Sequence, residues 1–351
     1  MSVTTSKNVV LVTGAAGFLG SLVAQAVQDD PKTPDVHLIL ADIVEPTAPP
    51  NAKDALTLKV DLTELSEIEK LFETKLGVPD TVYCLHGIMS RGSEDNFDFG
   101  LKVNIDSVRE LLQATRKYGH STGTLIKFIF TSSLAVYGGP LPEIIVPSTI
   151  ATPEGAYGVA KLCSELFINE YTRRRYVNGR ILRLPTIAVR SGAPAAATSS
   201  FISSIIREPM KGIPTVCPIG NSLDSPELDL ALWISSPRTV VQNLVIAKHI
   251  PDDKFLAHTR VVCAPGFTTT VREELEALQA VSGKVTLQSG EEVDVLKLIE
   301  FKDDLTNRRI VASWPARFDN AYARSLGFVV DEGGMIGVVE EFQRDLERAK
   351  V

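Results

Sequence analysis

Residues 8–13, Asn-Val-Val-Leu-Val-Thr, run straight into glycines at 14, 17 and 20 and then into a helical pattern through Leu22, Val23, Ala26 and Val27. No other stretch leaves so few folds open. A short β-branched run without polar interruption suits a parallel strand buried on both faces. A glycine turn directly after it lets the backbone approach an anion, and the helix N-terminus that follows points free N–H groups at the same place. Strand, turn and helix in this order predict a dinucleotide-binding unit, with Gly14, Gly17, Phe18, Leu19 and Gly20 around a pyrophosphate. The spacing is G-x-x-G-x-x-G, not the commoner G-x-G-x-x-G.

The next elements extend that unit. Residues 37–41 read as a second strand ending in Asp42, 22 residues after Gly20, where an acid binds a ribose 2′-hydroxyl. A carboxylate there repels a 2′-phosphate and no arginine follows closely, so the expected cofactor is NAD rather than NADP. Residues 56–60 read as a third strand, with Asp61 and Leu62 after it beside the adenine. An amphipathic helix over 66–76 and a fourth strand over 80–85 follow. His86 and Gly87 then fall at a strand's carboxyl end, where open α/β sheets bind ligands. His86 either lines the cofactor site or is a loop histidine held by hydrogen bonds. A long helix over 97–118 contains Asn104, and a fifth strand over 127–131 leads into Ser132-Ser133-Leu134-Ala135-Val136-Tyr137-Gly138.

Tyr157 follows Ser133 by 24 residues, and Lys161 stands four beyond it at the start of a predicted helix over 154–175. At that spacing two side chains share a helix face. A nearby ammonium favours the phenolate and draws a tyrosine toward the range useful for acid–base work. Alone, such a pair is common on ordinary helices. Its weight comes from the ordered set: glycine turn, strand-end acid, helix asparagine, serine after the fifth strand, then Tyr-x-x-x-Lys. The chain resembles the extended short-chain dehydrogenase/reductases, the NAD-dependent epimerase/dehydratase superfamily, over nearly its whole length. The resemblance implies an α/β fold: a Rossmann-type, doubly wound parallel sheet with a smaller mixed α/β C-terminal substrate lobe. It implies Tyr157 as acid/base, Lys161 as its partner and ribose ligand, and Ser133 as the hydrogen-bond donor to the reacting oxygen. Asn104 would support a proton relay, and Pro185, Thr186 and Ile187 would pass beside the nicotinamide.

The remaining classes are excluded by composition and patterning. A net charge of −7 argues against a nucleic-acid partner, and Arg173-Arg174-Arg175 is a short run suited to a helix end. The four cysteines and five histidines are scattered, so neither a metal nor a disulfide framework is expected. No apolar run approaches membrane-spanning length, and the expected setting is the cytoplasm.

In the second half, residues 180–184 read as a sixth strand and 189–209 as a substrate loop leading into a helix. Most members of the resembled family carry an acid-bearing strand later on; here Trp233-Ile234-Ser235-Ser236-Pro237-Arg238 stands instead. With that departure the chain resembles the D-erythronate dehydrogenase branch, which oxidises small aldonic acids with NAD. A guanidinium grips a carboxylate with two hydrogen bonds. Arg190 and Arg238 are the candidates, with Ser199 and Ser200 as hydroxyl partners and Arg91 as a third possibility; each arginine could equally be a structural ion-pair partner. The expected domains are 1–185 for NAD, with returning segments about 231–265, and 186–230 with 266–351 for substrate. The expected reaction is oxidation of the C2 hydroxyl of a small sugar acid. The alternative is a nucleotide-sugar 4-epimerase or dehydratase with tightly bound NAD. By the same resemblance, the helices over 97–118 and 154–175 pair in a homodimer.

Overall fold

The structure is a computed structural model that describes residues 8–192 and 198–348. Its first half alternates strands and helices: β1 (Asn8–Thr13), α1 (Phe18–Gln28), β2 (Val36–Asp42), β3 (Ala55–Lys59), α2 (Leu65–Lys70), β4 (Thr81–Cys84), α3 (Ser90–Asp95), α4 (Phe97–Leu101), α5 (Ser107–Thr122), β5 (Lys127–Ser133), α6 (Ala156–Arg173) and β6 (Asn178–Leu184). In β1, Val10 and Val12 enter one apolar core with Val23 and Val27 of α1, while Val9 and Leu11 enter another with Leu111, Leu112 and Ile168. The sheet is therefore covered on both faces, which is why the strand carries no polar alternation.

The second half runs β7 (Thr186–Ile187), α7 (Ser200–Met210), β8 (Thr215–Cys217), β9 (Ala231–Ser235), α8 (Pro237–His249), β10 (Val261–Cys263), β11 (Phe267–Thr270), α9 (Val271–Val281), β12 (Lys284–Thr286), β13 (Glu292–Asp294), β14 (Ile299–Phe301), α10 (Leu305–Ala312), α11 (Ala321–Ser325) and α12 (Gly334–Arg348). The large sheet has the order β10-β6-β5-β4-β1-β2-β3, all parallel. The order reverses between β1 and β4, and ligands bind at such a switch point outside the carboxyl ends of the strands. A smaller mixed sheet, β11-β9-β7, joins a C-terminal lobe with its own apolar core around α7, α9 and α12. No helix among the described residues is long and apolar enough to cross a membrane.

Two predicted helices differ in the structure. The one expected over 66–76 stops at Lys70; Leu71, Phe72 and Leu76 are still buried, but turns carry them. The run expected over 97–118 continues to Thr122 and is π-helical over Lys102–Asp106, around Asn104. Insertions of this kind gather at functional sites. Of the residues around 231–265, β10 joins the large sheet and α8 packs on α1, whereas β9 belongs to the smaller sheet.

The Ser-Ser-Pro-Arg segment has a physical explanation. Ser236 caps α8 by accepting from Thr239 N–H, with Pro237 in the first turn. The acid arrives from far along the chain. Asp331 Oδ2 accepts from Ser235 Oγ and Ser236 N–H, each at 2.9 Å, and Oδ1 accepts from Ser236 Oγ and Thr239 Oγ1, each at 2.6 Å. Asn243 clamps the same strap by exchanging hydrogen bonds with the backbone of Val329, both at 2.9 Å. A carboxylate at a helix N-terminus is also favoured by the helix dipole. Asp331→Ala, which strips four acceptor bonds from partly buried donors, is expected to lower unfolding free energy by about 2–3 kcal/mol in urea titration. Unaltered stability would mean that the strap does not hold α8.

Candidate active site

The site is set by where α6 meets the sheet. Ala156 N–H at its first turn donates to Glu94 Oε1 at 2.7 Å. Two turns on, the buried Glu165 receives Arg183 of β6 in a bidentate pair, Nε to Oε1 at 2.9 Å and Nη2 to Oε2 at 2.6 Å. Arg183 Nη1 donates to the Tyr137 hydroxyl at 2.6 Å, and Ser132 Oγ donates to Glu165. Burial opposes the charge on Arg183, but Glu165 outweighs it and holds the guanidinium above its ordinary pKa. The network separates the two serines. Ser132 is taken by Glu165, while Ser133 Oγ only accepts from Ala135 N–H at 3.1 Å and keeps its own proton free to donate.

A cleft of about 350 Å³ runs from the glycine turn past Ser133, Tyr157 and Lys161 to Arg190, Ser199 and Trp314. Lys161 is buried; its Nζ donates to Thr131 O at 2.9 Å and lies 5.5 Å from the centre of the Tyr157 ring. Burial lowers its pKa to about 8. Burial raises the Tyr157 phenol to about 12, and Arg190 opposes the rise. The sequence makes Lys161 the cation that draws the phenol downward; in this structure the charge that opposes the rise is that of Arg190, with Lys161 at 5.5 Å from the ring centre. Asn104 lies behind the cleft, its side chain exchanging bonds with the Ile88 backbone at 2.9 Å each way and its carbonyl accepting from Ser164 Oγ at 3.0 Å.

The chain's own geometry suits the expected cofactor. Gly14 has φ +71°, and a Cβ on it would stand 2.7 Å from His86 N; a Cβ on Gly20 would stand 2.0 Å from Gly14 O. Only glycines allow this turn. No side chain caps α1 and its first turn carries no acid, so its N-terminus is open to a phosphate. Gly17, Phe18, Leu19, Gly87, Pro185, Thr186 and Ile187 line the cleft. Asp42 closes β2 beside the turn, where it accepts from Ala16 N–H at 3.0 Å. Asp61 is exposed; hydrogen bonds from Thr63 hold its carboxyl below the usual range. Leu62 is buried in the sheet's core. Asp42, Asp61 and Leu62 lie beyond the enclosed part of the cleft. His86 does line it, with both ring nitrogens engaged, Nδ1 to Thr13 Oγ1 and Nε2 to Ser107 Oγ, each at 2.8 Å. Burial, with Lys161 nearby, lowers its pKa to about 3, so the imidazole is neutral. Among the described residues no group of three or more His, Cys, Asp or Glu side chains could hold a metal ion.

The arginine candidates separate. Arg190 lines the same cleft as Tyr157, and burial lowers its pKa, with Arg207 adding to the effect. Arg238 does not belong with it. It is exposed at the start of α8 and acts on Glu341 of α12, so its expected substrate role is corrected. Arg91 is held by Asp95 at 3.0 Å. Ser199 lines the cleft; Ser200 opens α7 and does not. The substrate loop over 189–209 falls partly on residues 193–197, outside the described residues. An outer cavity of about 980 Å³ meets the cleft at Ser90, Ala135, Tyr157 and Trp314. Acids gather only there, at Glu94, Asp95, Glu154 and Asp304; the described lining of the inner cleft has two cations, Lys161 and Arg190, and no carboxylate.

Trp314 and Arg207 were not anticipated from the sequence. Trp314 had a signal, being one of two tryptophans and set in a polar stretch after α10. Arg207 had none, because an arginine in an amphipathic helix reads as a surface residue.

The model of the NAD dependent epimerase/dehydratase family matches residues 10–223. D-erythronate dehydrogenase of Haemophilus influenzae is 37% identical over 333 residues, covering 95% of this chain and 98% of that protein. D-erythronate dehydrogenase of Cupriavidus necator is 35% identical over 348 residues, covering 97% and 99%. Among solved structures, a nucleoside-diphosphate-sugar epimerase from Agrobacterium tumefaciens superposes with a TM-score of 0.83 at 32% identity, covering 95% of this chain and 92% of that one. The chain belongs to the NAD dependent epimerase/dehydratase family and is an NAD-dependent oxidoreductase of the extended short-chain dehydrogenase/reductase type.

Proposed function

We propose that the protein oxidises the C2 hydroxyl of a small sugar acid, a D-erythronate-like aldonate, to the 2-oxo acid. One observation carries the reading: the described lining of the inner cleft has two cations, the buried Lys161 and the half-buried Arg190, and no carboxylate, and the charge of Arg190 acts on Tyr157. A buried cation without a counter-ion is unfavourable, and a substrate carboxylate supplies one. Relatives named D-erythronate dehydrogenase support the choice of acid. Bound NAD supplies the acceptor for the C2 hydride. The chain's residues manage the rest. Arg190 grips the carboxylate and fixes C2, Ser133 donates to the reacting oxygen, and Tyr157 as phenolate takes the hydroxyl proton. Lys161, anchored on Thr131 O, keeps a positive charge beside the phenol, and Asn104 holds the loop at Ile88. Gly14, Gly17, Gly20, Asp42 and Asp61 would hold the cofactor's pyrophosphate and adenosine.

The second reading, a nucleotide-sugar epimerase, is favoured by the likeness to the Agrobacterium structure. The outer cavity speaks against it, because four acids against two arginines, Arg91 and Arg309, leave a net negative lining to face a substrate pyrophosphate. We place the reaction in the cytoplasm, consistent with four free thiols. We also propose a homodimer through α4 and α6, whose Phe97, Phe99, Val159 and Leu166 are exposed apolar side chains.

NADH absorbance with C4 to C6 aldonates is expected to show turnover. Tyr157→Phe should reduce kcat by about 10²–10⁴-fold, and Arg190→Met should raise the aldonate KM by roughly 30-fold or more. Interconversion of a UDP-hexose without net NADH would establish the second reading instead. Arg190 lowers the Tyr157 pKa, so removing it raises that pKa, and a base must lose its proton to act. The alkaline-rising limb of kcat/KM is thus expected at higher pH in Arg190→Met and near its original place in Arg190→Lys. An unmoved limb in Arg190→Met would dissociate Arg190 from the phenol. Sedimentation at micromolar concentration should give a dimer; a monomer would exclude the α4–α6 assembly.

A further inference from the structure

Arg190 reaches the cleft from backbone that α7 grips on both sides. Its N–H donates to Ser203 Oγ at 3.0 Å, and its carbonyl accepts from Arg207 Nη1 at 2.7 Å. Ser203 and Arg207 stand four apart on α7, and they are only 1% and 2% exposed. Neither lines the cleft. The remaining fork of Arg207 closes on its neighbour, Nε and Nη2 donating to Glu208 Oε1 at 3.2 and 2.6 Å. Glu208 Oε2 is buried with no hydrogen-bond partner among the described residues.

Such an arrangement is not how a helix arginine is usually stabilised. An arginine at the surface could pair with the adjacent acid without burying a guanidinium, and burial of that pair brings little stability. The pair instead ties the Arg190 carbonyl to the rigid interior of the C-terminal lobe. It also sets the local charge. Arg207 and Glu208 balance each other, so the net positive charge that acts on Tyr157 is that of Arg190, which Arg207 also repels.

We propose that Arg207, acting with Ser203, is a positioning residue. The two fix the Arg190 backbone so that its guanidinium meets an incoming carboxylate in a bidentate pair, and Arg207 balances Glu208 so that the charge of Arg190 stays available to an anion. A guanidinium held in place loses less freedom on binding, which appears as affinity. The inference rests on the sugar-acid reading of the site.

The test uses the full chain with NAD. Initial rates of NADH formation with the best aldonate are compared for wild type, Arg207→Met, Arg207→Lys and Ser203→Ala, and NAD affinity is titrated for each by quenching of protein fluorescence. Arg207→Met and Ser203→Ala should each raise the aldonate KM by about tenfold, with kcat moving less and NAD affinity retained. Arg207→Lys, which keeps the charge but not the fork, should recover part of that loss. An unchanged KM in the folded variants, or kcat and NAD affinity falling together with it, overturns the positioning role. Should Arg207→Met fail to fold, Ser203→Ala decides the matter by the same criteria. If wild type oxidises no sugar acid, the reading of the reaction falls and this inference falls with it; wild-type turnover with unmoved variants sinks the inference alone.

Discussion

The buried pair between Glu165 and Arg183 fixes the geometry on which the rest depends. It ties α6 to β6 with two charge-assisted bonds and recruits Ser132 and Tyr137 to satisfy the remaining atoms. Ion pairs removed from water contribute little net stability, and apolar residues of the same volume would often do better. What they supply is direction. A bidentate guanidinium and carboxylate have one good mutual orientation. Tyr157 and Lys161, two turns and one turn before Glu165, are thereby set relative to Ser133, which ends β5. The sheet supplies Ser133, the helix supplies Tyr157 and Lys161, and the pair is the joint between them.

The glycine turn makes the second joint. Gly20 lets α1 pass against Gly14, and Gly14 lets the turn lie against His86 at the end of β4. The two neighbouring parallel strands on either side of the switch point thus close one end of the cleft, while α6 and β5 form its middle. The C-terminal lobe completes it with Arg190, Ser199 and Trp314.

The large sheet was legible because its signals are local. A β-branched run, a glycine turn and a strand-end acid each lie within a few residues, and their order fixes the parallel topology. The same ordered set singles out Ser133, Tyr157 and Lys161, which the structure brings to one cleft. The substrate side was not legible, because its charges are decided by contacts distant in sequence. Arg190 and Arg238 are both arginines beside small residues, and nothing local separates the half-buried one that acts on Tyr157 from the one left in solvent near Glu341. The missing acid of the Ser-Ser-Pro-Arg segment is supplied by Asp331, some 95 residues away, through side-chain bonds that no period or propensity encodes. The stop of α2 at Lys70 has a different origin: the apolar spacing that suggests a longer helix is satisfied equally well by buried turns.

The placement of two cations around one phenol bears on how an acid would be turned over. Arg190 is the cation felt by Tyr157 in the structure, but a carboxylate bound to Arg190 would neutralise it and remove most of that influence. Were Arg190 alone in the cleft, substrate binding would push the Tyr157 pKa up just when a phenolate is needed. Lys161 prevents this. Its Nζ is fixed on a backbone carbonyl, and the described lining of the inner cleft offers it no carboxylate. Its charge therefore survives substrate binding, although burial has already drawn its pKa to about 8. In the proposed reaction the labour would divide accordingly: the arginine would be neutralised by the acid it anchors, and the lysine would remain to hold the phenolate.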